Sequence, residues 1–368
     1  MNRRIIRLMG QILTTALLSA ATCLAQGLPN QPDLPIDAAV RTEVIEALIK
    51  ELNEKYIFPE VAKQLEKDLR ERLVRKEYDN LTSAAVFSRT LTKHLREISH
   101  DKHLDVSYSY RMLPPMFRPG EAPPGPPLGA NLAAKLNFGF EKVERLSGNI
   151  GYLKLNGFMD PQTGTGDVAT AAMNFLSNTD ALIIDLRQNN GGMPGMVALL
   201  CSYFFAGPPV HLNDIQWRTP EGNHIQQSWT LSYVPGKRYI NKEVYILTSK
   251  FTFSAAEEFT YNLKTQKRAT IVGETSGGGA NPGGGVRLQD HFIAFIPTGQ
   301  AINPITKTNW EGTGITPDIA VPAEQALYVA QLTALQHLLG KNTDERLGIE
   351  LKRAIEAVEK ELNALKNK

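Results

Sequence analysis

Between residues 36 and about 99, apolar side chains recur at three- and four-residue spacing: Ile45, Ile49 and Leu52, then Val61, Leu65, Leu69 and Leu73, then Phe87, Leu91 and Leu95. That period lines one face of a helix. Pro59 and the pair Thr82-Ser83 stand where helices begin. The pattern predicts three amphipathic helices packed as a small bundle. The period then changes. Leu104-Asp105-Val106-Ser107-Tyr108 alternates like a half-buried strand. Residues 113–129 carry seven of the 22 prolines and read as a loop.

From Leu136 onward, short apolar runs alternate with helical stretches, the signature of an α/β arrangement. Strands are predicted at Leu136–Phe140, Ile150–Leu155, Ala181–Leu186, Val244–Leu247, Ala269–Val272, Val286–Pro297 and Gln300–Ile302. Helices are predicted at Asp167–Leu176, from Pro194, from Ser254, at Ala323–Leu339 and at Asp344–Leu365. The last is laced with opposite charges, Glu345 and Glu350 against Arg346 and Lys352, as expected of a solvated face. The chain shows no internal repeat.

Composition changes this picture little. The 368 residues suit about two domains with a sizeable core. A 42% hydrophobic and 21% charged content argues against disorder and against a membrane bundle. A net charge of +2 without blocks of like charge gives nucleic acid no electrostatic footing. The N-terminus does add something. Arg3, Arg4 and Arg7 precede an apolar core, Ile12–Ala21, too short for a comfortable membrane span. Cys23-Leu24-Ala25 then places small residues at a cleavage site before Gln26, so residues 1–25 read as a secretory signal. The alternative, a lipoprotein cysteine at Cys23, has a poor match in Ala20-Ala21-Thr22. The processed chain retains one cysteine, Cys201, in the apolar run VALLCSYFF, and reads it as a buried small hydrophobe. No other run reaches 18 apolar residues, which predicts a mature chain with no membrane span.

Candidate chemistry centres on Val244–Phe259, VYILTSKFTFSAAEEF. A buried strand crosses a short turn into Ser254-Ala255-Ala256-Glu257-Glu258, a good helix start with acidic residues at the positive end of the dipole. Nucleophilic serines sit on such strand-to-helix turns, but so do plain N-caps, and G-x-S-x-G is absent. Both readings stand on the residues alone. Asn190-Gly191-Gly192, after another buried strand, is either a tight turn or a place where backbone N–H groups approach a ligand. Of seven histidines, His103 is the best-placed base, in a polar turn entering a strand, with His100 as its competitor. The chain lacks H-e-x-x-H and any four-ligand Cys/His cluster, so no metal site is expected. The run Gly277–Gly285 lacks the Lys-Ser/Thr of a phosphate loop and reads as a mobile surface loop or the wall of a site.

Five segments, in order, resemble one family of serine peptidases. It includes the C-terminal (tail-specific) processing proteases, the tricorn core protease and the repeats of interphotoreceptor retinoid-binding protein. The segments are SHDKHLDV, IIDLRQNNGG, SKFTFSAAEEF, IVGETSGGG and WEGTGITPDIAV, and the resemblance covers roughly residues 36–322. It implies a ClpP/crotonase-like α/β core of mixed sheet and helices behind an N-terminal helical bundle. The implied divisions are 1–25 signal, 26–99 bundle, 100–322 peptidase core and 323–368 closing helices. Carried over by position, Ser254 is the nucleophile, His103 the general base and Glu311 the acid that orients it. The oxyanion donors are the N–H of Ala255 and that of Gly192, with Gly191 as the lesser alternative. Each such donor is often worth roughly 3 kcal/mol.

Tail-specific members use a lysine base after the nucleophile. Gly277-Gly278-Gly279 offers none here, and Lys264 and Lys267 fall on or just after the predicted helix. A Ser-His-Glu triad is therefore expected, in a retinoid-binding-like branch without a PDZ domain, for which the segment after His103 has no room. Lys102 stands where tricorn-type sites place a serine. The resemblance implies a peptidase acting on peptides or unfolded proteins without metal or cofactor; the signal-like residues 1–25 imply its export, and a histidine base is expected to titrate near the usual value of about 6.5. The alternative is a non-catalytic carrier of apolar ligands such as retinoids or fatty acids on the same fold.

Overall fold

The computed structural model describes residues 31–114 and 130–367. The signal region and nearly all of the proline-rich stretch lie outside the described residues. The elements begin with helices α1 (Ala38–Lys55), α2 (Pro59–Val74) and α3 (Ala84–Ser99) and strand β1 (Asp105–Tyr108). After α4 (Ala130–Lys135) come β2 (Phe140–Leu146), β3 (Ile150–Leu155), α5 (Thr165–Leu176), β4 (Ala181–Asp185) and α6 (Pro194–Ser202). Next are β5 (His211–Thr219), β6 (Gly222–Trp229), β7 (Glu243–Thr248), α7 (Ala255–Thr265) and β8 (Thr270–Gly273). The chain ends with β9 (Gly283–Gln289), β10 (Phe292–Pro297), β11 (Gly299–Ile302), β12 (Ile319–Ala320), α8 (Ala326–Lys341) and α9 (Glu345–Lys366).

The chain forms two compact units. The first comprises the described residues up to Asn131 with Ile215–Gln226 and Asn281–Ala301; the second is Leu132–Asp214, Gln227–Ala280 and Ile302–Lys368. In the first, α1–α3 form where the apolar period places them. Asp37 caps α1 by accepting from the Val40 N–H, Ser83 caps α3 by accepting from Val86, and Pro59 opens α2. The apolar faces bury Leu48, Leu52, Leu65, Phe87 and Leu91 together with Phe292, Ala294 and Ile296 of a three-stranded antiparallel sheet ordered β1-β10-β9. The segment 215–226 is tied in by Arg218, whose guanidinium donates to the carbonyls of Tyr56 (2.5 Å) and Asn53 (2.8 Å).

The second unit is built on a six-stranded sheet in the order β12-β8-β7-β4-β3-β2, parallel from β12 to β3 with β2 antiparallel at one edge. Its strands are apolar at successive positions because both faces are covered. Leu182 and Ile184 pack with α5, α6 and α7, whereas Ala181 and Ile183 pack with α8 and α9. Cys201 is buried in the first of these layers, as its apolar run predicts. Strands β11, β5 and β6, most of whose residues belong to the first unit, pair in that order in a further sheet. Among the described residues no helix is long and apolar enough to cross a membrane.

Two sequence expectations shift. The strand expected at Leu136–Phe140 starts at Phe140 and runs to Leu146, because Asn137 and Phe138 take left-handed backbone angles and make a tight turn before it. The hairpin β5–β6 goes unread in the sequence; β6 is exposed at nearly every position, so it lacks an alternating apolar face.

The burial of Glu258 goes unread in the sequence. It stands in the first turn of the helix that begins at Ala255, as expected, but it is 5% exposed there, with the Asn213 amide and the Cys201 thiol as neighbours. Burial pushes its carboxyl up to about 7. An acid whose folded pKa is raised stabilises the fold fully below its unfolded value of 4.5, and that contribution is lost as pH rises through about 7. Glu258→Gln is therefore expected to gain stability over wild type as pH rises from 4.5 to 8, by on the order of 3 kcal/mol, read by urea unfolding. A difference that does not change with pH would contradict the buried, protonated carboxyl.

Candidate active site

The sharpest local feature of the second unit is Ser254. It follows β7 by a short turn and is the N-cap of α7, but its backbone sits at φ 53 and ψ −123. A non-glycine residue at positive φ costs energy and persists only where its surroundings fix it. Three groups do so. The Ser254 N–H donates to Glu257 Oε2 (3.0 Å), the Phe253 N–H donates to the Asn189 carbonyl (3.0 Å), and Ser249 and Thr252 hydroxyls donate to the carbonyls of Arg187 and Leu186. The turn after β7 is thus fastened to the turn after β4.

That second turn holds Gly191 and Gly192, at φ 114 and φ 142. Asn189 shapes it: its Nδ2 donates to the Leu155 carbonyl and its Oδ1 accepts from the Gly191 N–H, each at 2.9 Å. Both glycines are required by space as well as angle. A Cβ on Gly191 would lie 2.7 Å from the Ser254 Cβ and 3.1 Å from the Ala255 nitrogen. A Cβ on Gly192 would lie 2.1 Å from the Phe158 carbonyl oxygen. The turn is therefore backed directly against the start of α7. Behind it, Asp185 is buried and paired in a fork with Arg187 (2.9 and 2.6 Å) and accepts from Tyr152 Oη (2.7 Å). Burial alone would raise the Asp185 carboxyl, but its bonds to Arg187 hold it below the usual range.

Glu257 is fully buried and joins this turn to the glycine run. Its Oε1 accepts from Ser276 Oγ (2.5 Å) and the Gly278 N–H (2.7 Å), and its Oε2 accepts from Gly279 N–H (2.8 Å) besides Ser254. Burial pushes its carboxyl up to about 7, against these four bonds, which favour the ionised form. The segment from Gly277 is thus a pinned wall rather than a mobile surface loop. Gly278, Gly279 and Ala280 are buried, and Trp310 Nε1 donates to the Gly279 carbonyl (2.8 Å). Glu311 is half-buried in the same unit, accepting from the Ala280 N–H through Oε2 (2.5 Å).

His103 belongs to the first unit. Its N–H donates to Asp101 Oδ1 (3.0 Å), and its ring stacks on Phe295 with centroids 5.6 Å apart. Asp101 is buried and also accepts from Tyr56 Oη (3.1 Å) and Asn281 Nδ2 (2.9 Å). Although the residue keeps partial exposure, desolvation of the ring, helped by the charge of Arg96, pulls His103 down to about 3. This replaces the ordinary value near 6.5 expected from sequence. Its competitor His100 is an exposed left-handed C-cap of α3. Lys264 is paired with Asp318 and donates to the Thr316 carbonyl, while Lys267 is exposed.

Sequence reasoning named neither Asn189 nor Glu257 as functional. The first immediately precedes the turn Asn190-Gly191-Gly192 already singled out. The second stands three residues after Ser254, where S-x-x-E spells a capping box.

Comparison with known proteins agrees with this architecture. Residues 149–321 match the family described as Peptidase family S41, and residues 38–137 match the N-terminal domain of Peptidase_S41 in eukaryotic IRBP. A peptidase candidate from Parabacteroides merdae ATCC 43184 superposes with a TM-score of 0.53 at 18% identity, over 83% of this chain and 97% of that one. A lipoprotein from Streptococcus agalactiae does so at 0.51 and 16% identity, over 84% and 99%. The photosystem II D1 C-terminal processing protease aligns at 0.38 and 22% identity; the match spans 48% of this chain and 43% of that one. The chain thus carries a peptidase family S41 domain, preceded by the N-terminal domain that accompanies it.

Proposed function

We propose that the protein is an exported serine-type peptidase that cleaves peptides or unfolded proteins through an acyl-enzyme. The observation that carries this reading is the strained backbone of Ser254 on a strand-to-helix turn, with Gly191 packed against it. A simple N-cap has no use for positive φ. In the reaction, Ser254 Oγ bonds to the substrate carbonyl carbon while His103 takes the hydroxyl proton. The C–N bond then breaks, and His103 returns that proton to the leaving amine. Water hydrolyses the ester by the same route. Glu311 holds the imidazole tautomer and stabilises the imidazolium. The Ala255 N–H, at the first position of α7, serves the oxyanion. Because the Gly191 N–H is held by Asn189, Gly192 supplies the second donor. Export rests on the signal-like residues 1–25.

The match to an N-terminal domain found in IRBP keeps one other reading, a carrier of apolar ligands, as the reading a negative result favours. Hydrolysis of unfolded casein by the mature chain is expected, with a loss of at least about a thousandfold in Ser254→Ala. Equal turnover by the variant, or none by folded wild type, would sink the peptidase reading.

The depressed pKa of His103 gives a separate test. In Ser254→Ala, its ring is expected to stay neutral at pH 5 in a nitrogen-15 NMR titration, with the resonance assigned by comparison with His103→Gln. A midpoint near the ordinary 6.5 would contradict the desolvated ring.

A further inference from the structure

A cavity of about 580 Å³ opens in the second unit at the ends of β7 and β8 away from Ser254. Glu243 and Val244, which begin β7, and Thr270, which begins β8, line it. Ser254 lies beyond the other end of β7, so the length of that strand, roughly 17 Å for its span, separates the two places. The volume falls in the range of small-molecule sites.

Its charges do not balance. Lys242, Lys264, Lys267 and Arg268 face Glu243 and Asp318. Both carboxylates are already engaged: Asp318 pairs with Lys264, and Glu243 pairs with His337 (3.4 Å) and Lys341 (3.6 Å) of α8. Among the described residues, no carboxylate lies at ion-pair distance from Lys242, Lys267 or Arg268. Lys242 Nζ donates to the carbonyls of Ser177 (2.9 Å) and Thr179 (2.7 Å). Arg268 is held by carbonyls alone, through Nε to Phe204 (2.8 Å), Nη1 to Lys242 (2.8 Å) and Nη2 to Tyr239 (2.5 Å). These bonds use three of the five N–H donors of a guanidinium and leave one on each terminal nitrogen. The guanidinium is half-buried and lies over the Phe204 ring at 5.7 Å, with Phe205 and Ile240 completing an apolar wall.

We propose that this cavity is a second binding site, distinct from the Ser254 site, for a small organic oxyanion. Its carboxylate or phosphate bridges Arg268 and Lys267, and its apolar portion lies along Phe204 and Ile240. A planar fork with two N–H donors left over and no carboxylate at ion-pair distance among the described residues matches either oxyanion. Desolvation already works against the Arg268 charge, and a bound anion relieves that cost.

Isothermal titration of the mature chain with inorganic phosphate and, separately, with hexanoate, against sodium chloride at equal ionic strength, tests this. Saturable binding is expected with at least one of the two, and the tighter arm identifies phosphate or carboxylate as the favoured source. Lys267 is exposed, so Lys267→Glu leaves the fold intact, and the charge reversal is expected to weaken binding by about tenfold or more. No saturable binding in either arm, or binding unchanged in Lys267→Glu, would overturn the proposal.

Discussion

The buried carboxylate of Glu257 is the interaction on which the candidate site depends. A carboxylate taken out of water is costly unless its oxygens are satisfied, and here the two oxygens collect four donors. Those donors come from segments distant in sequence: the backbone of Ser254, the hydroxyl of Ser276 and the backbone of Gly278 and Gly279. One side chain therefore fixes the positive-φ serine and the glycine wall together. The wall in turn presents the Ala280 N–H to Glu311. Asn189 performs the matching task across the turn after β4, binding Leu155, Gly191 and Phe253 at once. The two turns that carry the proposed nucleophile and its oxyanion donors are held by buried hydrogen bonds rather than by loop stiffness.

Titration of the buried groups acts in opposing senses. Glu257 and Glu258, pushed up to about 7, favour the folded state more strongly at low pH. His103, pulled down to about 3, does the reverse: the unfolded chain binds the extra proton between about 3 and 6.5, so this contribution is complete above 6.5 and fades as pH falls. Desolvation causes all three shifts. The same exclusion of water that strains these groups strengthens any electrostatic stabilisation of an oxyanion.

Much of the fold was legible in the chain because the burial pattern is simple. The three N-terminal helices have one apolar stripe each, and β4 and β7 are continuous apolar runs because helices cover both sheet faces. What was not legible depends on contacts that sequence spacing does not encode. Residues 281–301 belong with the first unit because Phe292, Ala294 and Ile296 fill the core of the helices. An alternating strand pattern does not say which core it serves. β6 escaped notice because it has no buried face. Among site residues, Ser254, Gly191 and Gly192 stand out through turn chemistry, whereas Glu311 is an ordinary acid until a family resemblance singles it out. The depression of His103 is a property of packing against Phe295 and its surroundings, and no local motif announces it.

The central claim is that Ser254, beyond capping α7, is an activated nucleophile. Labelling the folded mature protein with a serine-directed fluorophosphonate, and mapping the adduct by mass spectrometry, tests it most directly. The account predicts a single adduct on Ser254, lost in His103→Ala. No adduct in folded protein, or one on Ser254 that persists without His103, would contradict it.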